Sequence, residues 1–322
     1  MAKILGIGNA LVDVIVPLND ERIFDQYSLV KGGMEMIDSD KKRAIHEAIK
    51  EMQKAFATGG STSNTIHGLA HLGAHTGYIG KVSNDEAGQF FKSEMIRTGI
   101  KSHLLDSEID TGIATTFMTA DAERTFATYL GAAATMTAEE IDETILKEYD
   151  YIHVEGYLIF NHDLILKVCQ WAKKFNLKVS MDMASYNVVE LNREFMQDLL
   201  KNYVDIIFAN EEEAKAFTGK EELEALDILS EYCPVSIVKI GCRGSLVKAN
   251  GKVAVIPAIQ GNCIDTNGAG DIYASGFLYG LMNGYSIEKA GMLASRLAAE
   301  LVGTVGAKLS EQQWQKLLPE IL

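Results

Sequence analysis

The sequence Cys263-Ile264-Asp265-Thr266-Asn267-Gly268-Ala269-Gly270-Asp271 lies directly before a long apolar helical pattern. Small residues let a backbone approach an anion closely, and the amide groups at the start of a helix attract negative charge. A carboxylate at Asp271 would lie beside that anion, within reach of the proton on an attacking hydroxyl group. The stretch therefore predicts a phosphoryl-transfer site at a helix start, although a glycine-rich turn with Asp271 as a helix cap would have the same composition.

The composition of the 322 residues limits the classes of function. Hydrophobic residues make up 47% and charged residues 23% of the chain, as in an ordinary globular protein. A net charge of −14 argues against a nucleic-acid partner, which usually requires a basic surface. The scattered cysteines predict neither zinc nor a redox centre, and reduced thiols fit a cytoplasmic protein. These are Cys169, Cys233, Cys242 and Cys263. No run of 18 apolar residues occurs, so we expect no membrane-spanning helix.

Short β-rich segments alternate with longer helical patterns, which is typical of a parallel sheet covered by helices on both faces. The predicted strands are Ile4–Ile7, Thr76–Ile79, Tyr151–Val154, Val179–Met181, Ile206–Phe208 and Val235–Ile240. The predicted helices are Lys41–Phe56, Thr62–Leu72, Glu86–Thr98, Leu164–Phe175, Glu211–Thr218, Gly270–Met282 and Ile287–Val302. A hairpin is also predicted, from Leu246–Lys248 to Val253–Ile256, with its turn at Asn250-Gly251.

Two segments, 12–37 and 111–130, interrupt this alternation. The second is rich in threonine and aromatic residues that favour strands, as in Thr115-Thr116-Phe117-Met118-Thr119. We expect the two segments to form a small β-sheet lid within a single domain that spans residues 1–322. Closure of such a lid would exclude water from a transfer reaction.

The stretch from Asp265 to Asp271 matches, without a mismatch, the Asp-Thr-x-Gly-Ala-Gly-Asp signature of the ribokinase/adenosine kinase (pfkB-type) family of sugar and nucleoside kinases. Other sequence motifs of the family occur in the same order along the chain, between Gly8 and Gly306. These motifs most resemble those of bacterial adenosine kinase-like proteins. The resemblance implies a ribokinase-like three-layer α/β/α domain with a mainly parallel central sheet and a small β-sheet lid over the acceptor site. It also implies that ATP is the donor and Mg²⁺ a cofactor.

The resemblance assigns the acceptor site to three segments. Gly8-Asn9-Ala10-Leu11-Val12-Asp13 matches Gly-Asn-x-x-x-Asp, and there Asp13 would accept hydrogen bonds from vicinal hydroxyl groups. Gly59-Gly60-Ser61-Thr62-Ser63-Asn64 would bind the acceptor through glycine amides and Asn64, although Ser61 alone is also a good helix cap. In the lid, Arg124 would reach the triphosphate; the alternative is a solvated arginine in a hairpin. The acceptor-site residues are Asn9, Asp13, Gly59, Gly60, Ser61, Asn64 and Arg124.

The donor site follows from the same resemblance. Asn210 and Glu213 form an Asn-x-x-Glu element in which Glu213 would hold Mg²⁺ through water, although acidic residues in a first helical turn complement the helix dipole in any protein. Lys239, Gly241 and Gly244 would line the ATP pocket. The backbone amides of Asn267, Gly268, Ala269, Gly270 and Asp271 would bind the transferring γ-phosphoryl group.

Many members of the family bind a monovalent cation beside the anion-binding loop. The matching positions for K⁺ are the carbonyl groups of Asp265, Asn267, Leu301, Thr304 and Gly306, and the hydroxyl group of Ser310.

Together these features predict an ATP-dependent kinase that phosphorylates the primary 5′-hydroxyl group of a nucleoside, with adenosine as the best single acceptor and Asp271 as the general base. A sugar kinase acting on ribose or fructose, or an inosine or guanosine kinase, is the alternative. A catalytically silent nucleotide or sugar sensor is a further one. We expect a monomer or a homodimer that binds neither nucleic acid nor membrane.

Overall fold

Sixteen β-strands and eleven α-helices occur in the residues that the computed structural model describes, which are 2–121 and 123–321. The strands are β1 (Lys3–Ile7), β2 (Leu11–Pro17), β3 (Met34–Met36), β4 (Ala55–Gly59), β5 (His75–Ile79), β6 (Lys81–Ser83), β7 (Lys101–Ser102), β8 (Leu105–Ser107), β9 (Gly112–Met118), β10 (Arg124–Tyr129), β11 (Tyr151–Val154), β12 (Lys178–Asp182), β13 (Ile206–Asn210), β14 (Val235–Lys239), β15 (Ser245–Ala249) and β16 (Lys252–Ile256). The helices are α1 (Arg22–Gln26), α2 (Ser39–Ala48), α3 (Ser61–His71), α4 (Glu86–Arg97), α5 (His162–Lys174), α6 (Tyr186–Tyr203), α7 (Glu211–Thr218), α8 (Glu222–Tyr232), α9 (Ala269–Met282), α10 (Ile287–Leu301) and α11 (Glu311–Ile321). The expected domain range includes Met1, Ala122 and Leu322, and the expected lid includes Ala122, but these three lie outside the described residues.

Nine strands form the central sheet, in the order β16-β15-β14-β13-β12-β11-β1-β5-β7. Neighbours from β7 to β14 are parallel, and β15 and β16 add an antiparallel hairpin. Strand β13 illustrates why both faces are covered. Ile207 and Ala209 pack with residues of α5 to α8, whereas Ile206 and Phe208 pack with residues of α9 and α10. The expected three-layer α/β/α architecture with a mainly parallel sheet is confirmed.

Most predicted element boundaries lie within two residues of the observed ones. The predicted hairpin is formed by β15 and β16, and its turn residues Asn250 and Gly251 have φ angles of 49° and 73°. Both values lie in the left-handed region that a tight two-residue hairpin turn requires.

The predicted helix Lys41–Phe56 is wrong in its second half, because α2 ends at Ala48 and residues Ala55–Gly59 form β4 instead. Strand β4 pairs antiparallel with β2, with Val14 opposite Phe56 and Leu11 opposite Gly59. Backbone pairing with a distant strand therefore overrides the local helical pattern, as often happens for short segments.

A second sheet of five strands has the order β3-β10-β9-β2-β4. Its strands β2, β3, β9 and β10 come from the two segments expected to form a lid, and β4 lies outside both. One face of this sheet is apolar and buried, since Val14, Phe117 and Ala127 pack with Ile45 of α2. The opposite face carries Asp13, which alternates with the buried Val12 and Val14 along β2. We call this sheet the lid sheet below.

Helix α9 lies at the centre of the helical layer that carries the anion-binding stretch. Nine consecutive residues from Ile272 to Gly280 are buried. Gly276 faces α10 so closely that a Cβ atom there would lie 2.8 Å from the Cα of Ala294. Its apolar character thus reflects burial within the protein, and no helix in the two described ranges has both the length and the hydropathy for a membrane crossing.

The first prediction concerns the packing of α9. The ring of Phe277 is fully buried and lies 5.8 Å, centroid to centroid, from that of Phe208. We expect Phe277→Ala to lower the free energy of unfolding by about 3–5 kcal/mol, because a large cavity remains. Phe160, which is 62% exposed, is the matched control. Phe160→Ala should change the free energy of unfolding by no more than about 0.5 kcal/mol. Denaturant unfolding curves measure both, and similar losses for the two variants would contradict the assigned packing.

Candidate active site

Asp271 lies in the first turn of α9 and is held from both sides by α3. Its Oδ1 accepts a hydrogen bond from Ser61 Oγ at 2.8 Å, and its Oδ2 accepts one from Asn64 Nδ2 at 2.9 Å. Its backbone carbonyl accepts a third, from Thr65 Oγ1 at 3.2 Å. Burial raises the pKa of Asp271 to about 6, although the hydrogen bonds from Asn64 and Ser61 favour the charged form. The carboxylate is therefore ionised at neutral pH but remains a usable base.

The loop before α9 is shaped to bring backbone amides to a ligand. Gly268 has a φ of 73°, and a Cβ atom there would lie 2.7 Å from the Cα of Ala307, so only glycine fits. A Cβ on Gly270 would lie 2.8 Å from the Nζ of Lys239, which places an ammonium group beside this helix start. Two of the amides expected to bind the γ-phosphoryl group are engaged within the loop, since Asn267 donates to Asp265 Oδ1 at 3.0 Å and Ala269 donates to the Thr266 carbonyl oxygen at 3.2 Å. The remaining amides, those of Gly268, Gly270 and Asp271, together with the nearby cation favour the binding of an anion.

The acceptor-side glycines and Asp13 also come together. The backbone of Gly59 passes Asp13 so closely that a Cβ atom would lie 2.3 Å from its Oδ1. Gly60 has a φ of 91°, and a Cβ there would lie 2.2 Å from the carbonyl oxygen of Asn9. Glycine is thus required at Gly60, whereas a side chain at Gly59 would displace the Asp13 carboxylate. We call the turn from β4 through Gly59 and Gly60 into the first residues of α3 the acceptor turn.

The side chain of Asn9, a predicted acceptor-site residue, contacts an acidic residue that was not predicted at the site. It is buried, and its Nδ2 donates to Oε1 of Glu155 at 2.5 Å. Glu155 Oε2 also accepts from the backbone amides of Asn9 and Thr62, each at 3.3 Å. Glu155 therefore links Asn9 to the start of α3, because it accepts hydrogen bonds from both segments. Burial, with a smaller contribution from the nearby Asp182 carboxylate, raises the pKa of Glu155 to about 8.

Three charged residues at the site were missed by sequence reasoning. Asp182 ends β12, and its Oδ2 lies 3.4 Å from Ser61 Oγ and 3.9 Å from the Nε2 of the buried His153. Glu155 directly follows β11. The signal was available for both, because an acidic residue after a buried parallel strand falls at the carboxyl edge of the sheet, where ligands bind.

The third missed residue, Lys308, had no such signal. Its Nζ donates to the carbonyl oxygen of Thr58 at 2.5 Å and also contacts Thr58 Oγ1. Burial lowers the pKa of Lys308 to about 7, an effect that the Asp13 carboxylate opposes. Burial in turn raises the pKa of Asp13 to about 6, against the influence of Lys308 and Arg124. The two partly buried groups thus influence each other beside the turn into α3, each favouring the charged form of the other.

Arg124 is not the solvated hairpin arginine that was the alternative. Its side chain is 11% exposed, and its guanidinium forms an ion pair with Asp265, whose side chain is 8% exposed. Asp265 Oδ1 also accepts from the amide of Asn267 at 3.0 Å, and Oδ2 from the amide of Gly306 at 2.7 Å.

A cleft of about 1060 Å³ brings the expected donor-site residues together. It is lined by Asn210, Glu213, Lys239, Gly241, Gly244 and the stretch from Asn267 to Asp271, and Ser61 and Asp182 also line it. Asn210 and Glu213 cap α7 reciprocally, since Asn210 Oδ1 accepts from the Glu213 amide and Glu213 Oε2 accepts from the Asn210 amide, each at 2.8 Å. Burial raises the pKa of Glu213, while Lys239 favours its ionised form.

The expected K⁺ positions are only partly associated by direct contacts. Asp265 and Gly306 meet through the hydrogen bond above, and the carbonyl oxygen of Leu301 accepts from the amide and the hydroxyl group of Thr304, both at 2.9 Å. The hydroxyl group of Ser310 donates to Gln313 Oε1 at 2.9 Å at the start of α11.

Comparison with known proteins places the chain among kinases. Residues 28–314 match the model of the pfkB family carbohydrate kinases. Adenosine kinase of Saccharomyces cerevisiae is 28% identical over 329 residues, which cover 95% of this chain and 96% of that protein. Among solved structures, adenosine kinase of Sinorhizobium meliloti is 29% identical with a TM-score of 0.88, covering 99% of each chain. A probable sugar kinase protein of Rhizobium etli is 28% identical with a TM-score of 0.89, covering 99% of this chain and 98% of that one.

The second prediction concerns Glu155. Its pKa in the folded protein, about 8, lies above the ordinary value of 4.5, so the folded state holds the proton more tightly than the unfolded state. Stability relative to Glu155→Gln should therefore be greatest below about pH 4.5 and fall as the pH rises towards about 8, by at most about 1.4 kcal/mol per pH unit. Denaturant unfolding across this range measures it, with Glu231→Gln on the exposed side of α8 as the control. A difference that does not vary with pH would contradict the assignment.

Proposed function

The chain belongs to the pfkB family of carbohydrate kinases, and we propose that within this family it transfers the γ-phosphoryl group of ATP to the primary 5′-hydroxyl group of a nucleoside, with adenosine as the best single acceptor. The observation that carries the proposal is the position of Asp271 between an anion-binding loop and an acceptor turn. Its carboxylate is fixed by Ser61 and Asn64 of that turn. A merely helix-capping aspartate would need neither partner.

In the proposed reaction, the Asp271 carboxylate accepts the proton of the acceptor hydroxyl group, and the oxygen forms a bond with the γ-phosphorus. The bond between that phosphorus and the bridging oxygen breaks, and ADP leaves. The amides of Gly268, Gly270 and Asp271 and the ammonium group of Lys239 stabilise the charge on the transferring group. Asp13 orients the acceptor by accepting hydrogen bonds from its vicinal hydroxyl groups.

The residues present fit a magnesium ion. Mg²⁺ prefers oxygen ligands and keeps much of its hydration, so one or two carboxylates together with phosphate oxygens are sufficient. Glu213 and Asp182 supply carboxylates to the same cleft as the anion-binding loop, and both would hold the ion through water. When bound, the ion would neutralise phosphate charge. The K⁺ set of Asp265, Asn267, Leu301, Thr304, Gly306 and Ser310 stays a proposal.

The free face of the lid sheet favours a nucleoside over a free sugar. Strand register places Ile15 opposite Thr116, Thr116 opposite Phe126, and Phe126 opposite Met34, so these four side chains share one face. Asp13 lies on that face too, two residues from Ile15. Ile15 and Phe126 are partly exposed, and Met34 is 54% exposed. An apolar surface next to a hydroxyl-binding carboxylate suits a flat base attached to a ribose.

A free sugar such as ribose or fructose is the main competing acceptor, because the chain is similar to a probable sugar kinase as well as to adenosine kinases. Inosine and guanosine offer the same ribose with a different base. A silent sensor would not need a carboxylate tuned and fixed as Asp271 is.

The third prediction tests the base. We expect Asp271→Asn to lower turnover at least about a hundredfold, because base catalysis contributes about 10²–10⁴, while the affinity for a non-hydrolysable ATP analogue stays within about threefold. For the unmodified chain, kcat/KM should rise with pH through about 6, since the carboxylate must lose its proton. Steady-state ADP release and calorimetry measure these quantities.

Asp163 is the matched control, as an exposed aspartate in the first turn of α5. Asp163→Asn should leave turnover unchanged. An Asp271→Asn protein that keeps more than about a tenth of the wild-type rate would rule out the base role.

The fourth prediction tests the acceptor. We expect kcat/KM for adenosine to exceed that for ribose or fructose by at least about tenfold, because stacking of a base contributes about 1–3 kcal/mol. Phe126→Ala should lower the value for adenosine about tenfold or more and leave the value for ribose within about threefold. Phe56, also in the lid sheet but opposite Val14 on the other face, is the control, and Phe56→Ala should change neither. A kcat/KM for ribose or fructose equal to that for adenosine would refute the nucleoside assignment, while the assignment as a kinase would still hold.

A further inference from the structure

The carboxylate of Asp265 joins three separate segments of the chain. It contacts Arg124 at the start of lid strand β10, the Asn267 amide in the anion-binding loop, and the Gly306 amide after α10. The backbone amides of Ile264 and Asp265 both donate to the carbonyl oxygen of Val302. The segment before the anion-binding loop is therefore also linked to the segment after α10. Asp265 is therefore the point at which the lid sheet is fastened to the loop that binds the anion.

The pair with Arg124 is buried, with 11% and 8% of the two side chains exposed. Removing one member of such a pair leaves a charge in a poorly solvated place, so the two groups strongly favour contact. Moving the start of β10 away from the loop must break this contact. The ion pair thus opposes lifting of the lid sheet at this point.

Arg124 has hydrogen-bond donors that its ion pair with Asp265 does not use. A guanidinium has five N–H donors in one plane. Among the described residues, its Nη1 is buried without a hydrogen-bond partner, whereas Nη2 contacts Asp265. Arg124 also shares its lid face with Phe126, two residues along β10, and so lies on the side of the sheet that carries Asp13. A guanidinium fixed at one nitrogen and unpaired at the other suits an anionic ligand.

We infer that Asp265 is a positioning residue, whose carboxylate holds Arg124 beside the anion-binding loop so that its remaining donors meet the phosphate group bound there. The inference rests on the proposed phosphoryl transfer. It assigns the Asp265 side chain a role distinct from the carbonyl contact expected for K⁺. It also makes placement of Arg124 and ordering of the anion-binding loop a single event.

A purely local role for Asp265 is the alternative, because its bonds to the amides of Asn267 and Gly306 would order the loop without Arg124. A double-mutant cycle separates the two roles. If Asp265 acts through Arg124, its substitution costs little once Arg124 has been replaced; if it acts on the loop alone, the two losses are independent.

The experiment compares Asp265→Asn, Arg124→Gln and the double variant. We expect each single variant to lower kcat for the best acceptor at least about tenfold and the double variant to stay within about threefold of Arg124→Gln. Glu35→Gln is the control, because Glu35 in lid strand β3 pairs with Lys41 of α2 and not with Asp265; the turnover of this variant should be unchanged. If the double variant loses kcat by the product of the two single-variant factors, the two residues act independently and the inference is overturned.

Hydrogen exchange on the ligand-free protein tests the fastening without depending on activity. Amides of β9 and β10 should exchange at least about threefold faster in both Asp265→Asn and Arg124→Gln, and at the wild-type rate in Glu35→Gln. Faster exchange confined to residues 264–268 and 303–307 would overturn the inference. If the unmodified chain phosphorylates no nucleoside or sugar, the proposed function fails, and the exchange result then decides alone whether Asp265 fastens Arg124.

Discussion

The close packing of α3 against α9 sets the geometry of the site. A Cβ on Gly68 would lie 2.4 Å from Ser275 Oγ, and Ser275 Oγ donates to the carbonyl oxygen of Thr65 at 2.9 Å. Small residues thus let the two helix starts meet, which places the Ser61 and Asn64 side chains on the two oxygens of Asp271. A bulkier side chain between these helices would separate the carboxylate from both partners, so the chemistry at Asp271 depends on a contact that is itself purely structural.

The electrostatics of the site reconcile a strongly acidic protein with an anionic ligand. Asp13, Glu155 and Asp271 all have pKa values raised by burial, to about 6, 8 and 6 respectively. A protonated Glu155 at neutral pH adds no negative charge beneath the acceptor turn. Lys239 and Arg124 then supply positive charge close to the positions where phosphate and hydroxyl groups would bind, and Lys308, whose pKa burial lowers to about 7, adds a partial charge at neutral pH.

The sequence was most informative where function depends on consecutive residues. The stretch from Asp265 to Asp271 predicted the helix start and its glycine-shaped loop, because amide geometry and close approach are local properties. The alternation of apolar segments predicted the layers of the central sheet. Lys308 was not predictable, since its importance comes from a contact with Thr58, 250 positions away. Strand β4 was missed for a similar reason, because only pairing with β2 distinguishes Ala55–Gly59 from the end of a helix.

The junction between β4 and α3 has a mechanical consequence. The lid strand runs through Gly59 and Gly60 directly into the helix whose first residue, Ser61, holds Asp271. Only Gly60 separates β4 from α3, so a movement of β4 is expected to rotate the start of α3 about Gly60. We expect a raised lid to turn Ser61 away from Asp271. An open cleft would then leave the carboxylate without one of the two side-chain hydrogen bonds that favour its charged form, so the position of the lid and the protonation of Asp271 are linked.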